Sequence, residues 1–410
     1  MLLGYTILAF LAACYTLISI LLLIGVSRLK KSAGYKTQDA RHKTQDSLES
    51  KDADLPFVSV LVAARDEERN IADCLESLVR QQYPSDRYEI VVVNDRSTDS
   101  TSSIIKSYME EHKMVRCINI DSNKSGLTGK QNALNKGLRF CTGEIILNTD
   151  ADCIAGPLWM RRTVSHFTPG IGLTIGFSTT YFDARYYCSG RPRRRPLFAD
   201  LQSLDMLFLI EAAAGAIGMN VPVSCLGRNL AYRKPILNDI DYSGMGYTIT
   251  EDAALIQAVA RNTDWDIAVV YDKDATVSTL AEESVKQFLS QRIRWILGGR
   301  ATRSWPQIPL HVIFLFHLCL AISFPLMFFV RSFIAITLFS TLIKATLDFI
   351  RCWRVCKAFD RTDLLKLFVP YEVFMVFYSV LTGLSSIFIR EIRWKGEAYT
   401  RNARHAHSAQ

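Results

Sequence analysis

Ile145-Ile146-Leu147-Asn148-Thr149-Asp150-Ala151-Asp152 carries an apolar run straight into two carboxylates spaced i, i+2. A short apolar run of this kind reads as a buried strand. Residues i and i+2 of an extended segment point to the same side, so one hard cation can meet both carboxylates. Upstream, Val91-Val92-Val93-Asn94-Asp95 ends in the same way. Asp95 can accept hydrogen bonds from a ligand there, or act as a turn residue ahead of the next helix.

The surrounding pattern alternates. Residues 57–64, 88–94, 115–120 and 144–148 read as strands. Residues 70–83 show helical spacing of Ile71, Leu75, Leu78 and Val79, and 130–140 reads as a helix. Ser97-Thr98-Asp99-Ser100 supplies a capping group for a third helix carrying Ile104 and Ile105. Strands alternating with helices predict an α/β domain with a mostly parallel sheet. Ligands of such sheets sit at the carboxyl ends of the strands, where Asp95 and Asp150 fall.

Residues 1–26 contain no charged side chain, and about 20 apolar residues suffice to cross a bilayer. They read as a retained anchor, because a cleaved leader needs a basic start and a small-residue cleavage site. Arg28, Lys30 and Lys31 follow directly, which places the next domain in the cytoplasm. Ten scattered cysteines without a CxxC pair suit that reducing side. A charged segment with a short echo, Lys36-Thr37-Gln38-Asp39 and Lys43-Thr44-Gln45-Asp46, reads as a solvated linker. Apolar stretches return at 310–330, 332–343 and 373–389. Three complete crossings there would leave the basic C-terminus outside, so one stretch is expected to be re-entrant or interfacial, or one long stretch a hairpin, with the tail cytoplasmic. The expected organisation is an anchor (1–27), a linker (28–55), a catalytic domain (56–300), a C-terminal transmembrane region (301–390) and a basic tail (391–410).

The net charge of +8 is densest in Arg191-Pro192-Arg193-Arg194-Arg195-Pro196. No aromatic-interleaved platform accompanies it, so anionic lipid or plain solvent suits the run better than nucleic acid. Few charges fall in the expected spans, which disfavours a transporter. Asp252, after Thr250-Glu251, begins a helix; it reads either as a general base or as a charge complementing the helix dipole. Gln291, Arg294 and Trp295 share a helical face at i, i+3 and i+4. That helix also reads as an amphipathic interfacial one.

Asp95, Asp150-Ala151-Asp152, Thr250-Glu251-Asp252 and Gln291-x-x-Arg294-Trp295 together resemble the D, DxD, TED, QxxRW signature of inverting family 2 glycosyltransferases. That family includes the cellulose, chitin and hyaluronan synthases and, more distantly, ceramide glucosyltransferase. The resemblance covers roughly residues 57–300. It implies a GT-A nucleotide-sugar-binding fold, here with N-terminal and C-terminal transmembrane helices. It also implies a nucleotide-sugar donor such as a UDP-sugar, and Mg²⁺ or Mn²⁺. By resemblance, Asp252 is the base, Asp152 and Asp150 bind metal, and Asp95 and Asp150 contact nucleotide. Ala63 and Glu67 border the uracil, and Lys130 approaches the donor. Gln291 and Arg294 serve the diphosphate, and Glu251 and Trp295 the acceptor.

Processive members usually have more spans. Cys225-Leu226-Gly227-Arg228-Asn229-Leu230 and the ending Arg393-Trp394-Lys395-Gly396-x-x-Tyr399 resemble smaller members acting on lipids. The expectation is therefore transfer of one sugar, with inversion, to a membrane lipid from the cytoplasmic face, in a bacterial inner membrane. The alternative is a processive polysaccharide synthase of the cellulose/hyaluronan type. A binding protein built on a retired transferase domain is disfavoured by the intact carboxylate set.

Overall fold

The structure is a computed structural model that describes residues 2–32, 54–122, 127, 129–181, 197–222, 227–242, 245, 248, 250–301, 307–389, 391–395 and 397–400. The linker echo, the basic run at 191–196, residues 225–226 and the last ten residues of the tail lie outside these. The chain divides into two compact units. One comprises 29–181, 224–280 and 393–410; the other comprises 1–28, 182–223 and 281–392.

Helix α1 (Leu2–Ser32) opens the chain. The first unit then builds β1 (Val58–Ala64), α2 (Ile71–Val79), β2 (Tyr88–Asp95), α3 (Thr101–Glu111), β3 (Val115–Ile120), α4 (Gly129–Leu138) and β4 (Ile145–Asp150). The strands fall where apolar, β-branched runs predicted them. The capping group before α3 is Asp99, whose Oδ1 accepts from the backbone N–H of Thr101 at 3.0 Å. Next come β5 (Cys153–Ala155), α5 (Trp159–Val164), β6 (Ile171–Gly176) and β7 (Ser178–Tyr181). After an excursion through α6 (Leu197–Gly218), the unit resumes with β8 (Leu230–Arg233), α7 (Ile236–Asp239), α8 (Glu251–Asn262), β9 (Asp266–Val270) and β10 (Val277–Leu280).

Seven strands form one mixed sheet in the order β3-β2-β1-β4-β8-β6-β9, and β5-β10-β7 form a second. The parallel half runs outward from β1 through β2 to β3, then returns to β4 on the other side of β1. That reversal is a topological switch point, where the loops leaving neighbouring strands part and open a crevice. Register puts Ala63 beside Asp150 and Ala64 beside Asn94. The ends of β1, β2 and β4 therefore line one edge. β2 is buried at every position, so the sheet centre is dry and its rim carries the polar chemistry. Helix α4 lies close on this sheet because position 137 is glycine. A Cβ there would come within 2.5 Å of Leu61 and 2.6 Å of Val93.

The second unit contains α1, α6, α9 (Val285–Ala301), α10 (Ile308–Phe329), α11 (Ser332–Ala358) and α12 (Phe368–Phe388). Among the described residues, five helical stretches are long and apolar enough to cross a membrane: Leu3–Leu29, Leu197–Gly218, Ile308–Phe329, Ser332–Ala358 and Thr362–Phe388. Large apolar side chains stand exposed along them, among them Phe328, Phe329, Leu342, Phe377 and Phe388. An outer face of this kind suits hydrocarbon rather than water.

Helix α6 was not anticipated from the sequence, since Asp205 and Glu211 interrupt its apolar run. The chain leaves the catalytic sheets after β7 and returns at β8, which pairs with both β4 and β6. Helix α11 continues through Lys344, Asp348 and Arg351, so, against the sequence reading, the spans are not poor in charge. Each of these is paired: Lys344 Nζ lies 2.8 Å from Asp348 and 2.7 Å from Glu372, and Arg351 Nε lies 2.8 Å from Glu211. Tyr15 of α1 donates its hydroxyl to Asp348 at 2.6 Å. In a low-dielectric bundle such groups persist only when paired and hydrogen-bonded.

Candidate active site at the carboxyl ends of the strands

The loop after β1 carries Arg65, Asp66, Glu67 and Glu68, and the loop after β2 carries Arg96 to Ser100. These loops are stitched together. Asp66 Oδ1 accepts from the Thr98 N–H at 2.8 Å, and the Glu67 N–H donates to Thr101 Oγ1 at 2.8 Å. The Glu68 N–H donates to Asp99 at 3.0 Å, and its carboxylate accepts from the Ser100 N–H at 3.1 Å. Asp66 and Arg96 adopt left-handed backbone, at φ 50° and 58°, which turns both loops sharply off their strands. Asp95 is buried, and Arg96 clasps its carboxylate through Nε at 2.8 Å and Nη2 at 3.1 Å. Burial and the nearby charge of Asp152 push the Glu67 carboxyl above its ordinary value, against the pull of Lys395.

At the end of β4 the two aspartates converge, though not as the pleat predicted. The strand stops at Asp150, and Asp152 sits in a turn that leads into β5. Ligand atoms of Asp150, Asp152 and Cys153 lie within 4.8 Å of one another. Burial first, then the charge of Asp152, holds the Cys153 thiol well above its usual range. It is thus a neutral donor to Asp152, at 3.4 Å. The donor set this leaves, two carboxylates partly open to solvent, fits a hard divalent cation that retains water or phosphate oxygens.

Lys130, in the first turn of α4, joins the two distant acidic motifs. Its Nζ lies 2.8 Å from Asp150 Oδ1 and 2.8 Å from Glu251 Oε1. Burial alone would lower this ammonium, but the charges of Asp150, Glu251 and Asp252 together hold it above its ordinary value. Asp150, Lys130, Glu251 and Asp252 line one pocket with Asn148, Thr149, Gly227 and Tyr242. The separation that would have dissolved the site, Asp252 on a remote edge of the sheet, is not what the chain does.

Asp252 is held by backbone. Its Oδ2 accepts from the Gly227 N–H at 2.6 Å and its Oδ1 from the Ala253 N–H at 2.8 Å. Burial, followed by the charge of Glu251, pushes its carboxyl up to about 6, while Lys130 and the two amides pull the other way. Gly227 has no room for a side chain, since a Cβ would sit 2.8 Å from that of Asp252 and 3.0 Å from its Oδ2. Asn229 anchors this turn. Its amide donates to Phe177 O at 2.7 Å and Ala275 O at 2.9 Å, and its oxygen accepts from Trp159 Nε1 at 2.9 Å. Gly227, Asn229 and Tyr242 were not anticipated as site residues. The stretch around Gly227 stood out in the sequence, but only the fold shows its amide aimed at Asp252.

Gln291, Arg294 and Trp295 lie on α9 in the other unit. Within that unit Gln291 donates to Glu282 at 2.6 Å. Arg294 and Trp295 are half-buried. The buried cation of the segment is Arg292, which pairs with Asp205 and packs against the rings of Phe288 and Trp295. Asp205 also accepts from Tyr378 at 2.6 Å and Tyr371 at 3.1 Å.

A mostly parallel sheet with a carboxylate pair at its switch point defines the class, and comparison with known proteins agrees. Residues 59–229 match the family model described as glycosyl transferase family 2, and residues 145–346 match that of glycosyl transferase family group 2. The chain belongs to the family 2 glycosyltransferases of the GT-A fold. Among curated relatives, the beta-monoglucosyldiacylglycerol synthase of Nostoc sp. is 40% identical over 257 residues, covering 60% of this chain and 49% of the relative. The poly-beta-1,6-N-acetyl-D-glucosamine synthase of Staphylococcus epidermidis is 26% identical over 266 residues, covering 61% of this chain and 57% of the relative. The chain thus spans about half the length of these relatives. The mannosyltransferase PcManGT of Pyrobaculum calidifontis, solved with GDP-Man and Mn²⁺, shares the fold at a TM-score of 0.55 and 18% identity, over 94% of this chain and 99% of that one.

Proposed function

We propose that this glycosyltransferase moves a single sugar, with inversion, from a nucleotide-sugar donor to a membrane lipid hydroxyl. The observation that carries the reading is the Lys130 ammonium bridging Asp150 and Glu251, with Asp252 in the same pocket. Asp252 takes the proton of the acceptor hydroxyl. The acceptor oxygen then attacks the anomeric carbon from the face opposite the diphosphate, and the electron pair of the broken C–O bond leaves with the phosphate. A carboxyl pushed to about 6 suits a base that works near neutrality. Its two backbone donors fix the carboxylate's direction without consuming all its lone pairs.

A divalent cation at Asp150 and Asp152 would offset the charge of the departing diphosphate, and Lys130 adds a positive charge from the protein itself. On this reading Ala63, Glu67 and Asp95 receive the nucleoside. Gln291 and Arg294 serve the donor, and Glu251 and Trp295 the acceptor. The 40% identity to a glucosyldiacylglycerol synthase supports a lipid acceptor, and donors of the UDP-sugar type follow from the motif resemblance. Arg28, Lys30 and Lys31 beside the first span support a cytoplasmic catalytic unit, and a bacterial inner membrane is the setting proposed.

The test is mass spectrometry of lipids from membranes incubated with a panel of nucleotide sugars, with and without EDTA. A singly glycosylated lipid that disappears with EDTA is the expected product. A ladder of oligomers would favour the processive alternative, and turnover indifferent to EDTA would remove the cation.

A further inference from the structure

The donor reading leaves Lys395 unexplained. It belongs to the catalytic unit, and it sits where the chain turns between β11 (Glu391–Trp394) and β12 (Glu397–Thr400). Its Nζ pairs with Glu67 Oε1 and donates to the Arg65 carbonyl at 2.8 Å, 328 and 330 residues away in the chain. Asn70 Nδ2 donates to the other carboxylate oxygen of Glu67 at 2.7 Å. Glu67 is only 9% exposed, and the charge of Asp152 acts on it. A carboxylate so placed needs a cation, and the tail delivers one.

The backbone at Lys395 points the same way independently. Its φ is 47°. A two-residue hairpin turn favours Asn-Gly or Asp-Gly, whose first residue tolerates that conformation. Lysine there carries backbone strain that glycine or asparagine would largely avoid. Strain of this kind collects at functional sites, where the side chain matters more than the turn.

We propose that the C-terminal hairpin is part of the donor site, with Lys395 as a positioning residue that holds Glu67 and the Arg65 carbonyl in place for the donor nucleoside. The proposal rests on the donor-site reading of Glu67. It adds a third arm to the two stitched loops: one after β1, one after β2, one from the end of the chain.

Full-length protein in lipid nanodiscs, with Lys395→Asn and Lys395→Arg variants, tests it. Asparagine relieves the turn and removes the charge, so a purely structural role predicts an unchanged or more stable enzyme. The positioning role predicts a KM for the sugar donor raised about tenfold with kcat within about twofold, equivalent to about 1.4 kcal/mol of donor binding. It further predicts substantial recovery in Lys395→Arg and no additional loss when Lys395→Asn is combined with Glu67→Gln. A Lys395→Asn enzyme with wild-type KM overturns the proposal, as does full additivity with Glu67→Gln. Hydrogen exchange over residues 65–70 judges the contact without turnover: faster exchange in Lys395→Asn is expected, and no change counts against it. A wild-type enzyme that transfers no sugar from any donor would instead sink the functional reading, while the exchange result still decides whether Lys395 holds the loop.

Discussion

On the proposed mechanism Asp252 is the side chain on which the chemistry turns, and its surroundings set its behaviour. Burial and Glu251 lift its carboxyl to about 6, and a base acts only when ionised. Activity is therefore absent well below that pH and rises as pH climbs through it. The acid limb of kcat/KM against pH is expected near 6, and a limb near the ordinary carboxylate value would contradict the assignment. Replacing Asp252 with Asn should lower kcat by about 10²–10⁴ while donor affinity stays within a few-fold, measured by turnover and calorimetry. Gly227→Ala probes the same carboxylate from the other side. The added Cβ displaces Asp252 or the amide that holds it, so turnover should fall without loss of fold, as read by thermal unfolding beside a kinetic assay. Asp95, Asp150 and Asp152 stood out in the sequence as acids at or just past the ends of apolar runs, and Asp252 only through its place in the motif series. The Gly227 amide did not stand out, because a backbone N–H leaves no trace in residue type.

Among elements, the parallel strands followed from period and composition, and their ends fell within a residue or two of the structure. Helix α6 did not. Its acids break an apolar run, and only the fold shows Asp205 meeting Arg292, Tyr371 and Tyr378. For the same reason Arg292 was passed over. Gln291, Arg294 and Trp295 share one face, but which face is buried depends on what packs there. Charges within α11 were hidden similarly, since Lys344 looks like the end of a span until Asp348 and Glu372 are found beside it. Breaking such a buried set by removing one member costs about 3–5 kcal/mol. Asp348→Asn is thus expected to lower the unfolding temperature in detergent by several degrees, with catalytic-site ligands unaltered; a variant as stable as wild type would mean the network does little. Helices α1 and α6 meet through Gly25, Gly215 and Gly218, whose added Cβ atoms would strike the facing backbone. Close glycine crossings of this kind are a common way for apolar helices to associate in lipid.

For the whole chain, the number of crossings is constrained by its two returns to the catalytic unit. Strands β7 and β8, which flank residues 182–229 in the chain, both belong to the first unit. The tail likewise reaches back, since Lys395 bonds the loop after β1. On the membrane reading proposed above, the tail and the catalytic unit share one side, and α10, α11 and α12 are expected to make an even number of complete crossings together. Protease treatment of sealed vesicles carrying terminal tags checks this. The C-terminal tag should be cleaved from the side that exposes the catalytic unit and the N-terminal tag from the opposite side; both cleaved from one side would contradict the single N-terminal crossing.

On the proposed function, acids far apart in the chain gather at one cation and the diphosphate it shields. Manganese titration of the purified protein with UDP, followed by electron paramagnetic resonance, tests this most directly. One tight Mn²⁺ per chain is expected, weakened roughly tenfold or more in Asp150→Asn and Asp152→Asn and retained in Asp252→Asn. Equal binding by all three variants, or none by the wild type, would contradict it.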